Sequence, residues 1–259
     1  MSTREYRMNR IKMKQPKMII FDAGKTLIDY VPKGPNCGRR SQMAYLSVVN
    51  AVEMLMPFMI HNPHGYDAAT IDQVINETFV RYDSCRKALW EIHDQIILKT
   101  SFELLDVKFS ISLAEIERII WENSAEIEPM EGVSDLLARL NEMGIRTAVI
   151  SNLDFSGFLL EERLQQIFPH NQFEFVIASS DYGVRKPQSL LFEVGIAKSG
   201  LNPAEIWYVG DKIKVDVDGS RAVGMEPVLY KNTRNYYEKL PEDVWVVEDY
   251  REMVSMLHA

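Results

Sequence analysis

The sequence predicts an α/β protein: a Rossmann-like, doubly wound parallel sheet with an α-helical domain inserted into it. Two observations carry this expectation. From Pro129 onward, β-rich and helical runs alternate, as stacked βαβ units require. Before that point, roughly a hundred residues carry apolar residues at helical intervals, entered through the Pro/Gly-rich loop Val31-Pro32-Lys33-Gly34-Pro35-Asn36-Cys37-Gly38. The first element is a short apolar strand, Lys17–Phe21. Helical stretches are expected over 41–60, 67–99 and 112–126. Then come helix 131–143, strand 146–150, helix 156–167, strand 173–178, helix 188–199, strand 206–209, helix 215–223, strands 227–229 and 244–247, and helix 249–257. Gly144 and Gly200 stand where helices end in a left-handed residue. The expected division is a flexible N-terminal extension over 1–16, a core over 17–29 and 127–259, and a helical cap over 30–126. The loop 31–38 and the segment Glu126–Pro129, as the only covalent links between cap and core, are expected hinges that gate the site. Trp90, Trp121, Phe79 and Phe102 are expected in the cap's core.

A chain of 259 residues with 46% hydrophobic content can bury a core and a smaller second domain. Its net charge of −8 argues against a nucleic-acid groove, which needs clustered Lys and Arg. The one basic concentration is at the N-terminus, where Arg4, Arg7, Arg10, Lys12, Lys14 and Lys17 face Glu5 alone. No apolar run of about 18 residues and no signal-type segment occurs, so no membrane partner and a cytoplasmic location are expected. Cys37 and Cys85 lie outside any ligand spacing and are expected as reduced thiols.

Four places offer chemistry. Asp22 stands where the first apolar strand stops, the usual place for a reactive group in an open α/β sheet, although an aspartate there also serves as a turn former. The following Ala23-Gly24-Lys25-Thr26 imitates the end of a phosphate-cradling loop, but the spacing requires glycine where Ile19 stands. Ser151 and Asn152 follow a second apolar strand, where they could equally start the next helix. Lys186 precedes Pro187 at a bend, a place where most lysines are solvated surface. Gly210-Asp211, with Asp216 five residues on, follows a further strand, and two such carboxylates suit a hard cation or a helix cap.

Taken together and in order, Asp22 to Thr26, Ser151, Lys186-Pro187 and Gly210-Asp211 with Asp216 resemble the four motifs of the haloacid dehalogenase superfamily. Pro129–Val133, the segment Gly219–Met225 and the inserted helices, which resemble a class I cap, extend the match over most of the chain. The resemblance implies a hydrolase of a small phosphorylated metabolite. Asp22 would be the nucleophile that becomes an aspartyl-phosphate, and Thr26, Ser151, Asn152 and Lys186 would bind substrate, Lys186 also acting in catalysis. Mg2+ would be held by Asp22, the Gly24 carbonyl and Asp211, with Asp216 behind them. The departure is Gly24, where the family's phosphatases carry an aspartate as acid and base. Glycine there points to a left-handed backbone or to room for a bulky ligand. It leaves open a slow phosphatase, a catalytically weak protein that binds a phosphometabolite or a protein partner, and two sister chemistries. Phosphonate hydrolases use a cap lysine, yet this chain has none from 34 to 86. 2-Haloacid dehalogenases work without Mg2+. Arg39, Arg40 and Cys37 are candidates to line the cap entrance and meet an anionic substrate, with Arg81 and Arg86 meeting it from a helix face.

Overall fold

The computed structural model describes residues 15–32, 49–85, 87–232, 240–241 and 243–257. Most of the basic extension, the loop residues from Lys33 through Gly38, and Arg39, Arg40 and Arg86 lie outside the described residues. The chain runs through β1 (Met18–Phe21), β2 (Ile28–Pro32), α1 (Val49–Glu53), β3 (Met59–His61), α2 (Ala68–Cys85), α3 (Asp94–Leu105), β4 (Lys108–Phe109), α4 (Leu113–Ser124) and β5 (Ala125–Pro129). It continues through α5 (Val133–Glu142), β6 (Arg146–Ser151), α6 (Gly157–Ile167), β7 (Val176–Ala178), α7 (Ser179–Tyr182), α8 (Ser189–Ser199), β8 (Ile206–Gly210), α9 (Asp218–Ala222), β9 (Glu226–Tyr230), β10 (Trp245–Val247) and α10 (Tyr250–Leu257).

Six strands form one parallel sheet in the order β10-β9-β8-β1-β6-β7. All four residues of β1 are buried because helices cover both faces of the sheet, which is why the strand is continuously apolar rather than alternating. Ile19 and Phe21 pack with Leu136, Leu160 and Tyr250 from α5, α6 and α10, while Met18 and Ile20 pack with Leu191 and Phe192 from α8. Gly144 and Gly200 end their helices with φ of 69° and 65°. No helix among the described residues is long and apolar enough to cross a membrane.

Three features between β1 and α5 differ from the sequence expectation. The segment expected as a hinge near Glu126–Pro129 is a strand, β5, paired antiparallel with β2 from Ile28 opposite Pro129 to Pro32 opposite Ala125. Apolar–polar alternation in Ile28-Asp29-Tyr30 and Glu126-Ile127-Glu128 favours this two-stranded ribbon. The helical stretch 67–99 is broken into α2 and α3, and the connection is pinned to the core loop before α8. The Glu91 N–H donates to Gly183 O at 3.0 Å, and the Arg185 N–H donates to Leu89 O at 3.0 Å. Extended backbone there alternates its side chains, so Glu91 turns inward while Trp90 is 55% exposed rather than in the cap core. Trp121 and Phe102 are buried as expected.

The helices between β2 and β5 are also bonded to the start of α6 through Glu117 of α4. Its buried carboxylate accepts from Ser156 N at 2.7 Å, Ser156 Oγ at 2.6 Å and Gln95 Nε2 at 2.7 Å. It thus sits at the start of α6, where free N–H groups and the helix dipole favour an anion. Glu117→Ala leaves those donors buried without an acceptor, so it is expected to lower stability by about 2–4 kcal/mol. The urea midpoint should fall with the slope unchanged; an unshifted midpoint would mean that the contact is energetically idle.

Candidate active site

The sheet topology gathers the motif residues. β1 lies between β6 and β8, with Phe21 level with Val149 and Val209, so the turns after these strands open side by side at their carboxyl ends. Asp22 hangs on this edge, its N–H donating to Val209 O at 2.8 Å. Ser151 ends β6 and Asp211 follows β8, and all three are buried. Lys186 arrives from the loop before α8, and its ammonium is 1% exposed. Its Nζ donates to Asp22 Oδ1 at 2.7 Å, Asp216 Oδ1 at 2.8 Å, Tyr208 Oη at 2.7 Å and Ile150 O at 3.0 Å. Burial alone would strip its proton, but the charges of Asp216 and Asp22 hold the ammonium well above the ordinary lysine range.

Asn152, expected on the substrate, is bonded to the backbone of that lysine. Its Oδ1 accepts from Lys186 N at 2.8 Å and its Nδ2 donates to Lys186 O at 3.0 Å. The amide therefore braces the lysine loop against β6. Thr26 is fully buried, its Oγ1 without a hydrogen-bond partner among the described residues, while its carbonyl accepts from Tyr250 Oη at 2.5 Å. Arg81 is exposed on α2.

Asp22, Asp211 and Asp216 each present a carboxylate oxygen within 4.8 Å of the others. Asp216 reaches in from a π-helical turn, Ile213–Val217, a widened geometry often found at functional sites. Gly210 makes this approach possible: a Cβ there would stand 2.4 Å from Asp216 Cγ. One oxygen of Asp216 accepts from Lys186 and the other from Lys212 N at 3.0 Å. Burial first, and then the charge of Asp22, push the Asp211 carboxyl up to about 6. Three buried carboxylates face one buried ammonium. That deficit of positive charge and the all-oxygen donor set fit a hard divalent cation.

Sequence reasoning missed four groups. Tyr208 and Asn232 are the first two: Asn232 donates from Nδ2 to Lys25 O at 3.1 Å and to Asp211 Oδ2 at 3.3 Å, joining the first and last motifs. Asp154, three residues beyond Ser151, has its carboxyl pushed up to about 6 by burial and by Glu91. The fourth is Tyr30. A Cβ at Gly24 would stand 3.3 Å from Tyr30 Cε2 and 3.9 Å from Cδ2. Gly24 has no left-handed backbone; Lys25 beside it does, with φ of 66°. The expected left-handed backbone is thus absent at Gly24, and a neighbouring ring that sequence reasoning did not foresee lies against it. Burial and the charge of Asp22 hold the Tyr30 hydroxyl well above its ordinary pKa.

A family model described as haloacid dehalogenase-like hydrolase matches residues 69–230. A protein of Methanothermobacter thermautotrophicus named glyceraldehyde 3-phosphate phosphatase is 29% identical over 249 residues, covering 93% of this chain and 99% of that one. Among solved structures, a HAD phosphatase from Thermococcus onnurineus is similar with a TM-score of 0.56 at 16% identity, covering 93% of this chain and 97% of that one. The 2-haloacid dehalogenase from Pseudomonas syringae gives 0.57 at 15%, covering 94% and 98%. Since these two bear names of different chemistries, their likeness speaks to fold alone.

The position of Asp211 has a consequence for stability. Its carboxyl is raised from 3.8 to about 6 in the folded chain, so the fold binds this proton more tightly than the unfolded chain does. Its contribution to metal-free stability therefore falls as pH rises from about 4 through about 6, by on the order of 1–3 kcal/mol. Asp211→Asn is expected to raise the Tm of the metal-free protein at pH 7 relative to wild type, with little difference at pH 4. It should also abolish the Tm increase on adding a divalent cation. Thermal melts at both pH values check this, and a lower Tm for the variant at pH 7 would refute it.

Proposed function

The chain belongs to the haloacid dehalogenase-like hydrolases, and from that premise we propose that it is a Mg2+-dependent phosphatase of a small phosphorylated metabolite, working through an aspartyl-phosphate on Asp22. The observation that carries this reading is the buried cluster in which Asp22, Lys186, Asp211 and Asp216 meet with one positive charge against three negative. The relative named glyceraldehyde 3-phosphate phosphatase, matched over nearly its whole length, supports a sugar-phosphate type of substrate.

In this reading Asp22 attacks phosphorus, having been fixed by its place at the strand end. Lys186 and the Ser151 hydroxyl hold the phosphoryl oxygens where charge develops. Asn152 positions the lysine through its peptide groups, and Asp216 and Tyr208 orient its ammonium. Thr26, fully buried, supports the turn after β1. Asp22, the Gly24 carbonyl and Asp211 would hold Mg2+, with Asp216 behind them. When bound, that ion neutralises charge on the phosphoryl oxygens and on the carboxylates around it.

Gly24 favours a second reading, a weak or inactive relative that binds a phosphometabolite or protein partner. The dehalogenase alternative leaves the three-carboxylate cluster without a task, and the phosphonate alternative lacks its lysine between 34 and 86.

A screen of phosphate monoesters with and without Mg2+, run beside a phosphonate and a 2-haloacid, tests the reading. Hydrolysis of at least one monoester that stops on chelation is expected. Asp22→Asn should remove it entirely, and Lys186→Ala should lower kcat by about 10²–10³-fold. Turnover of the 2-haloacid in the presence of chelator, with none on the monoesters, would overturn the proposal.

A further inference from the structure

We propose that Tyr30 occupies the space that an aspartate at position 24 would fill and donates a hydrogen bond to the leaving-group oxygen of the substrate, which makes it a residue that decides which phosphate esters are cleaved. The role rests on the phosphatase reading above.

The geometry comes from the turn after β1. Ala23 O accepts from Leu27 N at 2.8 Å and Ile28 N at 3.0 Å, folding the chain back on itself within six residues. Tyr30 then lies on β2, opposite Ile127 of β5, and packs half-buried against the main core. Of its two ring atoms beside Gly24, the nearer is Cε2, at 3.3 Å from the Cβ position, and Cδ2 is at 3.9 Å. Cε2 is bonded to the carbon that carries the hydroxyl, so the hydroxyl end of the ring, not its root, covers Gly24. That is the volume into which a side chain two residues after Asp22 would project. Asp22 is also the charge that bears most on the phenol, with Asp154 and Arg163 contributing less. A phenol that keeps its proton beside a carboxylate can serve the leaving oxygen as a donor.

As the bond between Asp22 and phosphorus forms, the ester P–O bond breaks and its electron pair stays on the leaving oxygen. That oxygen accepts the Tyr30 hydrogen bond and takes its proton from water, which leaves hydroxide to hydrolyse the acyl phosphate and return Asp22 as a carboxylate. An alkoxide, a strong base, needs this donor; a nitrophenolate does not. The pairing of Gly24 with Tyr30 therefore replaces an ionisable acid by a neutral donor, and the benefit falls on alkyl esters.

Tyr30→Phe keeps the ring and removes only the hydroxyl. With Mg2+ present, its kcat on glycerol 3-phosphate should fall about 10²-fold at nearly unchanged KM, while kcat on p-nitrophenyl phosphate stays within about threefold of wild type. Equal losses on both esters, or no loss on either, would overturn the role. So would a wild type that cleaves p-nitrophenyl phosphate but not glycerol 3-phosphate. A wild type that cleaves no monoester would overturn the phosphatase reading itself, a result visible before any variant is made.

Discussion

The interaction on which the rest depends is the buried ammonium of Lys186. Its contacts join Asp22 after β1, the carbonyl of Ile150 in β6, the Tyr208 hydroxyl in β8 and Asp216 in the π-helical turn. A charge so far from water is tolerable only when its donors are all met and its field is balanced. Here the carboxylates do both. The converse holds as well: Asp22 and Asp216 can approach each other because the ammonium lies between them. Taking away the lysine would leave two like charges in a dry crevice, typically a loss of about 3–5 kcal/mol for a broken buried pair. The site and the middle of the sheet are thus one electrostatic unit.

The same loop that carries this lysine also receives the segment between α2 and α3. Arg185, the preceding residue, donates from Nη1 to Glu91 Oε1 at 2.7 Å and Oε2 at 2.5 Å, and Ser179 Oγ donates to Glu91 Oε2 at 2.6 Å. Asn152 braces the other side of the loop. Any displacement of that segment that pulls on Glu91 is therefore felt one residue from Lys186. The β2–β5 ribbon ties the two ends of the inserted segment together as a hydrogen-bonded pair.

The sheet was legible in the sequence because a strand covered on both faces has to be apolar throughout, as Met-Ile-Ile-Phe in β1 is, and because Gly144 and Gly200 end helices by a local rule. The motif residues were legible because strand ends collect at one edge of a parallel sheet. What stayed hidden depends on contacts between distant segments. No Gly or Pro marks the break between α2 and α3; the chain leaves the helix there because its backbone pairs with the loop at Val184. Asn152 looked like a substrate ligand because its type and place allow it, yet only the fold shows both ends of its amide on the Lys186 backbone. Asn232 lies 21 residues from Asp211 and comes to it across the sheet edge. The β2 strand did carry a signal, the alternation in Ile28-Asp29-Tyr30, but it is short and abuts a Pro/Gly loop.

Gly24 joins these two levels. Read in isolation, its missing carboxylate suggests a defective enzyme; with Tyr30 beside it, the same position is a close contact that only glycine admits without displacement. An added Cβ at 3.3 Å from the ring would require the ring to yield by a few tenths of an ångström, and Tyr30 is fixed by a strand paired along its whole length. The left-handed φ that glycine could have supplied is carried instead by Lys25, whose side chain is paired with Asp29. A non-glycine residue in that region is strained, and it persists because the three hydrogen bonds to Ala23 O and the ribbon beyond over-determine the turn. The absent aspartate and the tyrosine are therefore a single structural feature. The turn that withholds an acid from position 24 is also what delivers an aromatic ring to the same place.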